Sequence, residues 1–301
     1  MLAFMAPWIL GFLGLILYPM LSSLYFSFTR YSLLDQPQWI GLDNYVFMFT
    51  KDPYFWITLR NTLWIIVVGV PSRVAFGIIT AWLLTLPRKG TRTYRTMYFM
   101  PSIAPPAAAA LAFVLVFQPA FGPVNQILRG LGMREPPLWF YGPGSSKWGL
   151  VLLGLWGIGD AMIIFLAGLL NVPRQLYEAA DIEGANGRQK FRHVTLPMIS
   201  PVIFFSTVIG IIYGFQLFTQ AYVASVATSG SSVTDVASNI GSPQNSMLFF
   251  SVYLYKTGFQ DFRMGYASAL AWVLFVITMV CTLTIIKGSR RWVFYQGGGF
   301  R

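Results

Sequence analysis

Six apolar stretches dominate this sequence, and each is long enough to cross a bilayer as a helix. Their limits are Phe4–Phe28, Thr62–Leu86, Tyr98–Phe117, Trp148–Leu170, Pro201–Val223 and Tyr266–Ile286. Hydrocarbon offers backbone amides no partner, so each stretch is expected to be helical. Hydrophobic residues make up 55% of the chain and charged residues only 10%, which excludes an ordinary soluble enzyme or a disordered chain. The sequence therefore predicts an all-α membrane protein with six transmembrane helices.

Basic residues are distributed unevenly between the two sides of these spans. Twelve lie in the connections after the second and fourth spans and in the C-terminal tail, whereas eight lie in the longer loops of the opposite side. Lys and Arg are enriched in cytoplasmic loops, so both termini are predicted to be cytoplasmic. Membrane topology also accounts for the net charge of +11, and no nucleic-acid partner is expected.

This layout divides the chain into three parts. Residues 1–61 hold the first span and an external loop, residues 62–286 form a core of five spans, and residues 287–301 form a basic cytoplasmic tail. The external loops Pro119–Ser146 and Ala224–Gln244 are rich in turn-forming residues, and the second is expected to be the most mobile segment. The role of this external loop, with bounds Ser225–Asn245, is left open.

The sequence offers little for metal, disulfide or nucleotide chemistry. Cys281 is the only cysteine and His193 the only histidine, so neither an internal disulfide nor a metal site is expected. No G-x-x-x-x-G-K-[ST] segment is present, so the chain is not expected to bind or hydrolyse ATP. We predict neither an enzyme nor a resident cofactor.

The cytoplasmic loop 171–200 between the fourth and fifth spans is longer than a plain connector needs to be. Pro173 suits the first turn of a helix, residues 174–183 contain no helix breaker, and Gly184 and Gly187 supply stops. A second short helix is expected over residues 188–194. The loop is therefore predicted to contain two helices.

The first of these helices has an acidic face. Glu178 and Asp181 are three residues apart and share it, whereas Leu176, Ala179 and Ala180 lie on another face. A helix lying on the inner membrane surface would carry basic residues on its polar face. An acidic face with small apolar neighbours favours docking into a groove of a partner protein.

The same loop carries a family resemblance. Its residues Glu178-Ala179-Ala180, Asp181, Gly184-Ala185 and Leu196-Pro197 follow one another in a characteristic order. This order resembles the loop motif of inner-membrane permeases of ATP-binding-cassette importers. Other segments, WIGLDNYVFMF, FRMGYASALAW and SRRWVFY, are similar to the carbohydrate-importer branch of the maltose and glycerol-3-phosphate permease type.

The resemblance implies an assembly in a bacterial or archaeal inner membrane. Such a permease pairs with a second homologous permease, here expected as a heterodimer, and with two cytoplasmic ATPases and an extracytoplasmic solute-binding protein. ATP and Mg²⁺ belong to the ATPases, and the imported solute is a sugar. The residues that would couple the permease to the ATPase are Glu178, Ala179, Ala180, Asp181, Gly184, Ala185, Leu196 and Pro197.

Polar side chains within the spans are the candidates for solute contact, because polar groups at membrane depth tend to face a cavity. These candidates are Trp156, Asp160, Tyr213, Gln216 and Gln220. The last three follow at i, i+3 and i+7, so they are expected on one helical stripe. The Asp and Gln side chains can hydrogen-bond the hydroxyls of a sugar, and the aromatic rings can cover its apolar face. Alternatively, these polar groups only form hydrogen bonds to neighbouring helices.

Asp160 also has a second interpretation. Arg73 lies at a matching depth in the second span, so the two side chains could instead form a buried ion pair. In the third span, Pro101, Pro105 and Pro106 are expected to kink the helix.

Three functions are open at this point. The first is the permease of an ATP-driven importer of a sugar or of a solute such as glycerol phosphate. The second is an ion-gradient-driven secondary transporter with Asp160 and Arg73 as its ion site. The third is a membrane scaffold. The acidic loop helix favours the first.

Overall fold

The computed structural model describes residues 2–86, 89–229 and 240–294, with side chains from Met5 onward, and within them the chain is predominantly helical. Its first helices are α1 (Leu2–Phe12), α2 (Tyr18–Ser27), α3 (Asp43–Thr50), α4 (Phe55–Thr85), α5 (Thr91–Phe99), α6 (Pro106–Val116), α7 (Pro123–Gly130), α8 (Ser146–Trp156) and α9 (Gly159–Leu170). They are followed by α10 (Arg174–Ile182), α11 (Gly187–Lys190), α12 (Leu196–Met198), α13 (Ser200–Phe215), α14 (Thr219–Thr228), α15 (Phe250–Tyr255) and α16 (Met264–Ser289).

Shorter elements connect these helices. Wide π turns cover Leu13–Leu17, Phe191–Thr195 and Lys256–Gln260, and 3₁₀ turns cover Met100–Ile103 and Trp139–Tyr141. One antiparallel hairpin pairs β1 (Thr29–Arg30) with β2 (Gln38–Trp39), with Thr29 opposite Trp39.

Three of the predicted spans are continuous helical segments. Met5–Ser27, Phe55–Thr85 and Met264–Ser289 are each long and apolar enough to cross a membrane. The second begins at Phe55 rather than at the predicted Thr62, because its first turns are buried against other parts of the chain. Its 31 residues span about 46 Å, which exceeds the hydrocarbon thickness.

Bent helix pairs occur at the other three predicted spans. The third span was expected to bend, the fourth is broken although one helix was expected, and the bend at the fifth lies just before its predicted start at Pro201. Residues 91–103 and 106–116 meet at 98°, residues 146–156 and 159–170 at 51°, and residues 187–198 and 200–215 at 63°. If each bent pair counts as one span, the described residues offer up to six spans.

Two of the breaks have a local cause. Pro105 and Pro106 lack the N–H groups that a helix needs, which confirms the predicted kink in the third span. In the fourth span, Gly157 follows α8, and α9 begins at Gly159. A Cβ atom at Gly159 would lie 2.8 Å from the Cα of Phe99, so only glycine allows α9 to approach α5 this closely.

The fifth predicted span contains a break that the sequence did not indicate. α13 ends at Phe215, and α14 begins at Thr219 without any proline between them. α14 then packs on α6, whereas α13 packs on α4. Tertiary packing therefore separates two segments that form one apolar stretch in the sequence.

The helix α4 is the centre of the fold, because α8, α9 and α13 all pack along it. One hydrophobic cluster surrounds its first half, and a second surrounds its last turns, where Ile78, Ala81 and Leu84 meet Phe165 and Ile199. Within a bilayer such contacts stabilise the fold through close packing rather than through the exclusion of water. The second cluster lies beside the loop 171–200.

A buried carboxylate fixes the end of the molecule where α4 begins. Asp52 is 6% exposed and accepts hydrogen bonds from the hydroxyls of Tyr253, at 2.8 Å, and Tyr266. The backbone N–H of Tyr54 also donates to Asp52, at 2.8 Å. Burial and the neighbouring Asp52 both raise the pKa of Tyr253, so its hydroxyl keeps the proton that it donates. These bonds tie the start of α4 to α15 and α16.

Candidate functional site

The loop 171–200 folds as predicted into a helix followed by a short helical stretch. α10 begins after Pro173 and ends at Ile182, within a residue of the predicted bounds. Gly184 has a φ of +76°, a left-handed conformation that favours glycine. The N–H of Gly184 donates to the carbonyl of Asp181, and the N–H of Ala185 donates to that of Ala180. This is a Schellman ending, so Gly184 and Ala185 terminate the helix by satisfying its last carbonyls.

A second stop and restart follow at once. Asn186 caps α11, since its side chain accepts from the N–H of Gln189 while the Gln189 side chain accepts from the N–H of Asn186. The ammonium of Lys190 forms an ion pair with Asp181, which links α11 to α10. Asp181, one of the residues predicted to couple the chain to the ATPase, therefore already has a partner within the loop.

The inward side of the loop is attached to the end of α4. Tyr177 and the buried Thr195 share a hydrogen bond of 2.9 Å between their hydroxyls. The Phe191 ring lies 5.9 Å from the Trp82 ring of α4, and Leu196 packs against the second hydrophobic cluster. Pro197 lies in α12, where its carbonyl accepts a hydrogen bond from Ser200 at 2.6 Å. Displacement of α10 would thus be transmitted to α4 and α13.

The outward side of α10 exposes an apolar row. Leu176, Ala179 and Ile182 recur every three residues and are exposed, with Ile182 at 88%. Ala180, one helical turn after Leu176, is half-buried and lies where this face meets the rest of the chain. Glu178 is exposed beside this row, and among the described residues no side chain or backbone group bonds to its carboxylate.

The tail contributes to the same end of the molecule. The N–H of Phe294 donates to the hydroxyl of Ser200 at 2.8 Å, and Val293 is buried. The Trp292 ring lies 6.2 Å from that of Phe204 on α13. In the sequence this segment is marked by its basic residues and by the family-like run SRRWVFY, and neither feature indicated these contacts. Arg88 and Arg301, which supported the predicted orientation, lie outside the described residues.

The five candidates for solute contact lie at or near helix breaks. Trp156 ends α8 and Asp160 lies in the first turn of α9, on either side of the 51° bend. Gln216 caps α13, whereas Gln220 lies in the first turn of α14, so the predicted stripe with Tyr213 does not exist. Backbone groups that lose their helical partners at such breaks need polar surroundings. Transporters often bind their solutes at broken helices of this kind. The role of the five residues stays a prediction.

The predicted ion pair between Arg73 and Asp160 is absent from the structure. The ion pairs of the described residues join Asp181 to Lys190 and Lys256 to Asp261. Asp160 is exposed and lies in the first turn of α9, where the helix dipole favours a carboxylate without a cationic partner.

The structure describes only the two ends of the external loop Ser225–Asn245. Ser225 is buried within α14, and the carbonyl of Asn245 accepts a hydrogen bond from Asn61 at 2.8 Å. Residues 230–239, which include most of the segment predicted to be mobile, lie outside the described residues.

Comparisons with known proteins agree with this architecture. The chain is 40% identical to the probable ABC transporter permease protein YesP of Bacillus subtilis, over 98% of this chain and 91% of that protein. It is 34% identical to the arabinooligosaccharides transport system permease protein AraP of the same species, over 95% and 87%. A bacterial alginate ABC transporter, crystallised with an alginate pentasaccharide-bound periplasmic protein, has the same fold, with a TM-score of 0.80 and 23% identity over 96% of this chain and 93% of that one.

Bent apolar helices packed along the long helix α4, with a structured loop at one end, are consistent with the membrane component of a transport system. The chain belongs to the family described as the binding-protein-dependent transport system inner membrane component, whose model matches residues 73–293. The resemblance that the loop motif indicated is confirmed.

Proposed function

We propose that the chain is the permease subunit of an ATP-driven, binding-protein-dependent sugar importer. One observation carries this proposal: α10 exposes Leu176, Ala179 and Ile182 beside the unpaired Glu178 while its other side is attached to the core. An exposed apolar row at helical spacing suits a groove on another protein.

That other protein is an ATPase, one of two that bind ATP and Mg²⁺ for the assembly. Because Asp181 is occupied by Lys190, the charge that orients docking is assigned to Glu178, which would meet a basic residue of the ATPase. Gly184, Ala185, Leu196 and Pro197 act from within the chain by fixing the shape and attachment of the loop.

The solute passes between this chain and a second homologous permease, after delivery by an extracytoplasmic binding protein. Trp156, Asp160, Tyr213, Gln216 and Gln220 are assigned to the pathway, because four of them lie at helix breaks. The sugar class is supported by relatives named for arabinooligosaccharides, sulfoquinovosyl glycerol and lactose.

The arrangement in the membrane follows the distribution of charge. With six spans, the excess of basic residues assigns both termini and the loop 171–200 to the cytoplasm. Residues 1–61 then hold the first span and an external loop, residues 62–286 form the core, and residues 287–301 form the cytoplasmic tail. The ion-gradient-driven alternative, with Asp160 and Arg73 as its ion site, is disfavoured because it gives no role to the exposed row of α10 and does not fit the family to which the chain belongs.

The test compares two charge reversals in a reconstituted importer with its ATPases and binding protein. Glu178→Lys should weaken ATPase binding and abolish ATP-driven sugar uptake, whereas Glu135→Lys, an exposed position outside the loop, should change neither. Ile182→Glu should act like Glu178→Lys, because it places a charge in the apolar row. Full ATPase binding and uptake in both loop variants would refute the proposal.

A second arm addresses the pathway. Gln216→Ala or Asp160→Asn should alter uptake of the sugar while ATPase binding stays unchanged. If ATPase binding fell instead, these residues would support the fold rather than contact the solute.

A further inference from the structure

A cavity of about 900 Å³ opens where the hairpin, α3 and the start of α16 meet. We call it the hairpin pocket. Its charged lining residues are Arg30, Asp35, Asp43, Lys51, Asp261 and Arg263. The volume falls within the usual range of small-molecule sites. None of the five residues proposed for the solute pathway lines this pocket.

The side chain of Arg263 is held in place without using its hydrogen-bond donors. Its guanidinium carbon lies 5.0 Å from the ring centre of Phe47 and 4.9 Å from that of Tyr266. Tyr266 is itself fixed by its hydrogen bond to the buried Asp52. Among the described residues, the guanidinium of Arg263 makes no hydrogen bond or ion pair, so its donors are free for a planar anion.

The acidic residues of the pocket are already compensated. Asp261 is bonded to Lys256 at 3.1 Å, and Asp35 accepts a hydrogen bond from Ser32 at 2.9 Å. Asp43 lies in the first turn of α3, where the helix dipole favours a carboxylate.

The cations of the pocket are not compensated in this way. Within the described part of the chain, no carboxylate pairs with Arg30, Lys51 or Arg263. The pocket can therefore accept a negative charge, while its three carboxylates disfavour a doubly charged ligand such as a phosphate monoester.

The remaining lining residues favour a ligand that also carries hydroxyl groups. Gln36 and Gln38 offer amide donors and acceptors, and the carboxylate of Asp43 is a free acceptor for a hydroxyl. Tyr31 supplies an aromatic ring to the same lining. Amides, carboxylates and aromatic rings together suit the hydroxyls and the apolar face of a sugar ring.

We propose that the hairpin pocket binds a monoanionic, polyhydroxylated ligand of the hexuronate class, with its carboxylate on the guanidinium of Arg263. The hydroxyls of the sugar are assigned to other polar residues of the same lining, among them Gln36, Gln38 and Asp43. The site is separate from the proposed pathway, and its occupation requires neither ATP nor an ATPase.

The experiment measures binding to the purified full chain in phosphatidylcholine nanodiscs by calorimetry. Galacturonate is titrated against galactose, which differs from it by a neutral hydroxymethyl group in place of the carboxylate. Galacturonate should bind at least about tenfold more tightly than galactose, a difference of ~1.4 kcal/mol. Because no transport is involved, this result is independent of whether the proposed function holds.

Variants locate the site. Arg263→Gln should remove the preference for galacturonate, and Arg263→Lys should weaken it, because an ammonium lacks the planar pair of donors. Arg290→Gln, which changes an exposed arginine at the opposite end of α16, should bind as the unchanged chain does. If Arg263→Gln lowers the unfolding temperature, its loss of binding could reflect a damaged fold. The binding of Arg263→Lys then tests the proposal, since this variant keeps a cation at the rings of Phe47 and Tyr266.

Three results would overturn the proposal. Equal affinity for galactose and galacturonate would remove the role of the carboxylate. Unchanged binding in both Arg263 variants would place the ligand elsewhere. Loss of galacturonate binding in phosphatidylglycerol nanodiscs, but not in phosphatidylcholine nanodiscs, would identify a lipid headgroup as the occupant.

Discussion

The two ends of α4 hold their polar residues in different ways. At its start, Asp52 is buried and receives three hydrogen bonds from Tyr54, Tyr253 and Tyr266. At its end, the loop 171–200 relies on the ion pair between Asp181 and Lys190, whose side chains are 59% and 24% exposed. The first arrangement is a buried network, and the second is a surface contact.

This difference indicates which end can move. A buried carboxylate that loses its partners is costly, so the network fixes the segments around it in one arrangement. A surface ion pair contributes little and can re-form in several geometries. We therefore expect the start of α4 to be rigid and the contact between α10 and α11 to adjust. The hydrogen bond between Tyr177 and Thr195 keeps α10 attached, and the Schellman ending keeps its shape.

The largest expected effect tests the rigid end. Asp52→Ala leaves two buried tyrosine hydroxyls without an acceptor, and each such group costs about 1–3 kcal/mol, so we expect a loss of about 3 kcal/mol in unfolding free energy. Denaturant unfolding in detergent would measure it. Asp35→Ala, an exposed position in the same region, should change it by less than about 0.5 kcal/mol. Equal losses in the two variants would show that the network is not the stabilising feature.

The next effect tests the shape of α10. Gly184→Ala forces a side chain into the left-handed conformation at a cost of about 1 kcal/mol, which corresponds to about a fivefold change in an equilibrium. ATP-driven uptake by the reconstituted importer should fall by a comparable factor. Gly187→Ala is the matched control, because Gly187 has no positive φ and a Cβ there would meet nothing within 4 Å. Full uptake by the Gly184 variant would separate helix termination from function.

A smaller effect is expected from the ion pair. Asp181→Asn and Lys190→Gln, alone and combined, should reveal a coupling energy of about 0.5 kcal/mol that decreases as salt is added. Thermal unfolding of the four proteins gives this energy as a double-mutant cycle. A coupling above about 2 kcal/mol would mean that the contact between α10 and α11 is as firmly fixed as the network at the start of α4.

The smallest effect concerns the pair that the structure lacks. Exchanging the charges of Arg73 and Asp160 should restore no stability lost by either single change, because the two side chains do not meet. The same cycle of unfolding measurements applies, with an expected coupling near zero. A clear rescue would require a state of the protein in which the two spans pack differently.

Local signals made the loop 171–200 predictable. Pro173 marks where α10 begins and Gly184 where it ends, so propensity alone placed both boundaries within a residue. The residue order of the same loop identified the family, and that identification is confirmed. The proline-dependent bend of the third span was predictable for the same reason.

Other features depend on contacts between distant segments, which leave little sign in the local order of residues. The hydrogen bonds of Asp52 join residues that are 201 and 214 positions apart. The break between α13 and α14 accompanies packing on two different helices. Arg73 and Asp160 form no ion pair although their helices, α4 and α9, pack together. Matching depth in two apolar stretches was not enough to place two side chains in contact.

The attachment of the first span has a consequence for biosynthesis. Within the described residues, α2 packs mainly on α16, which the ribosome adds more than 200 residues later. At about 5–20 residues per second, that partner emerges only after roughly 10 to 50 s. During this interval the first span has to remain in the bilayer through its own affinity for lipid, so its apolar surface is needed before any tertiary contact exists.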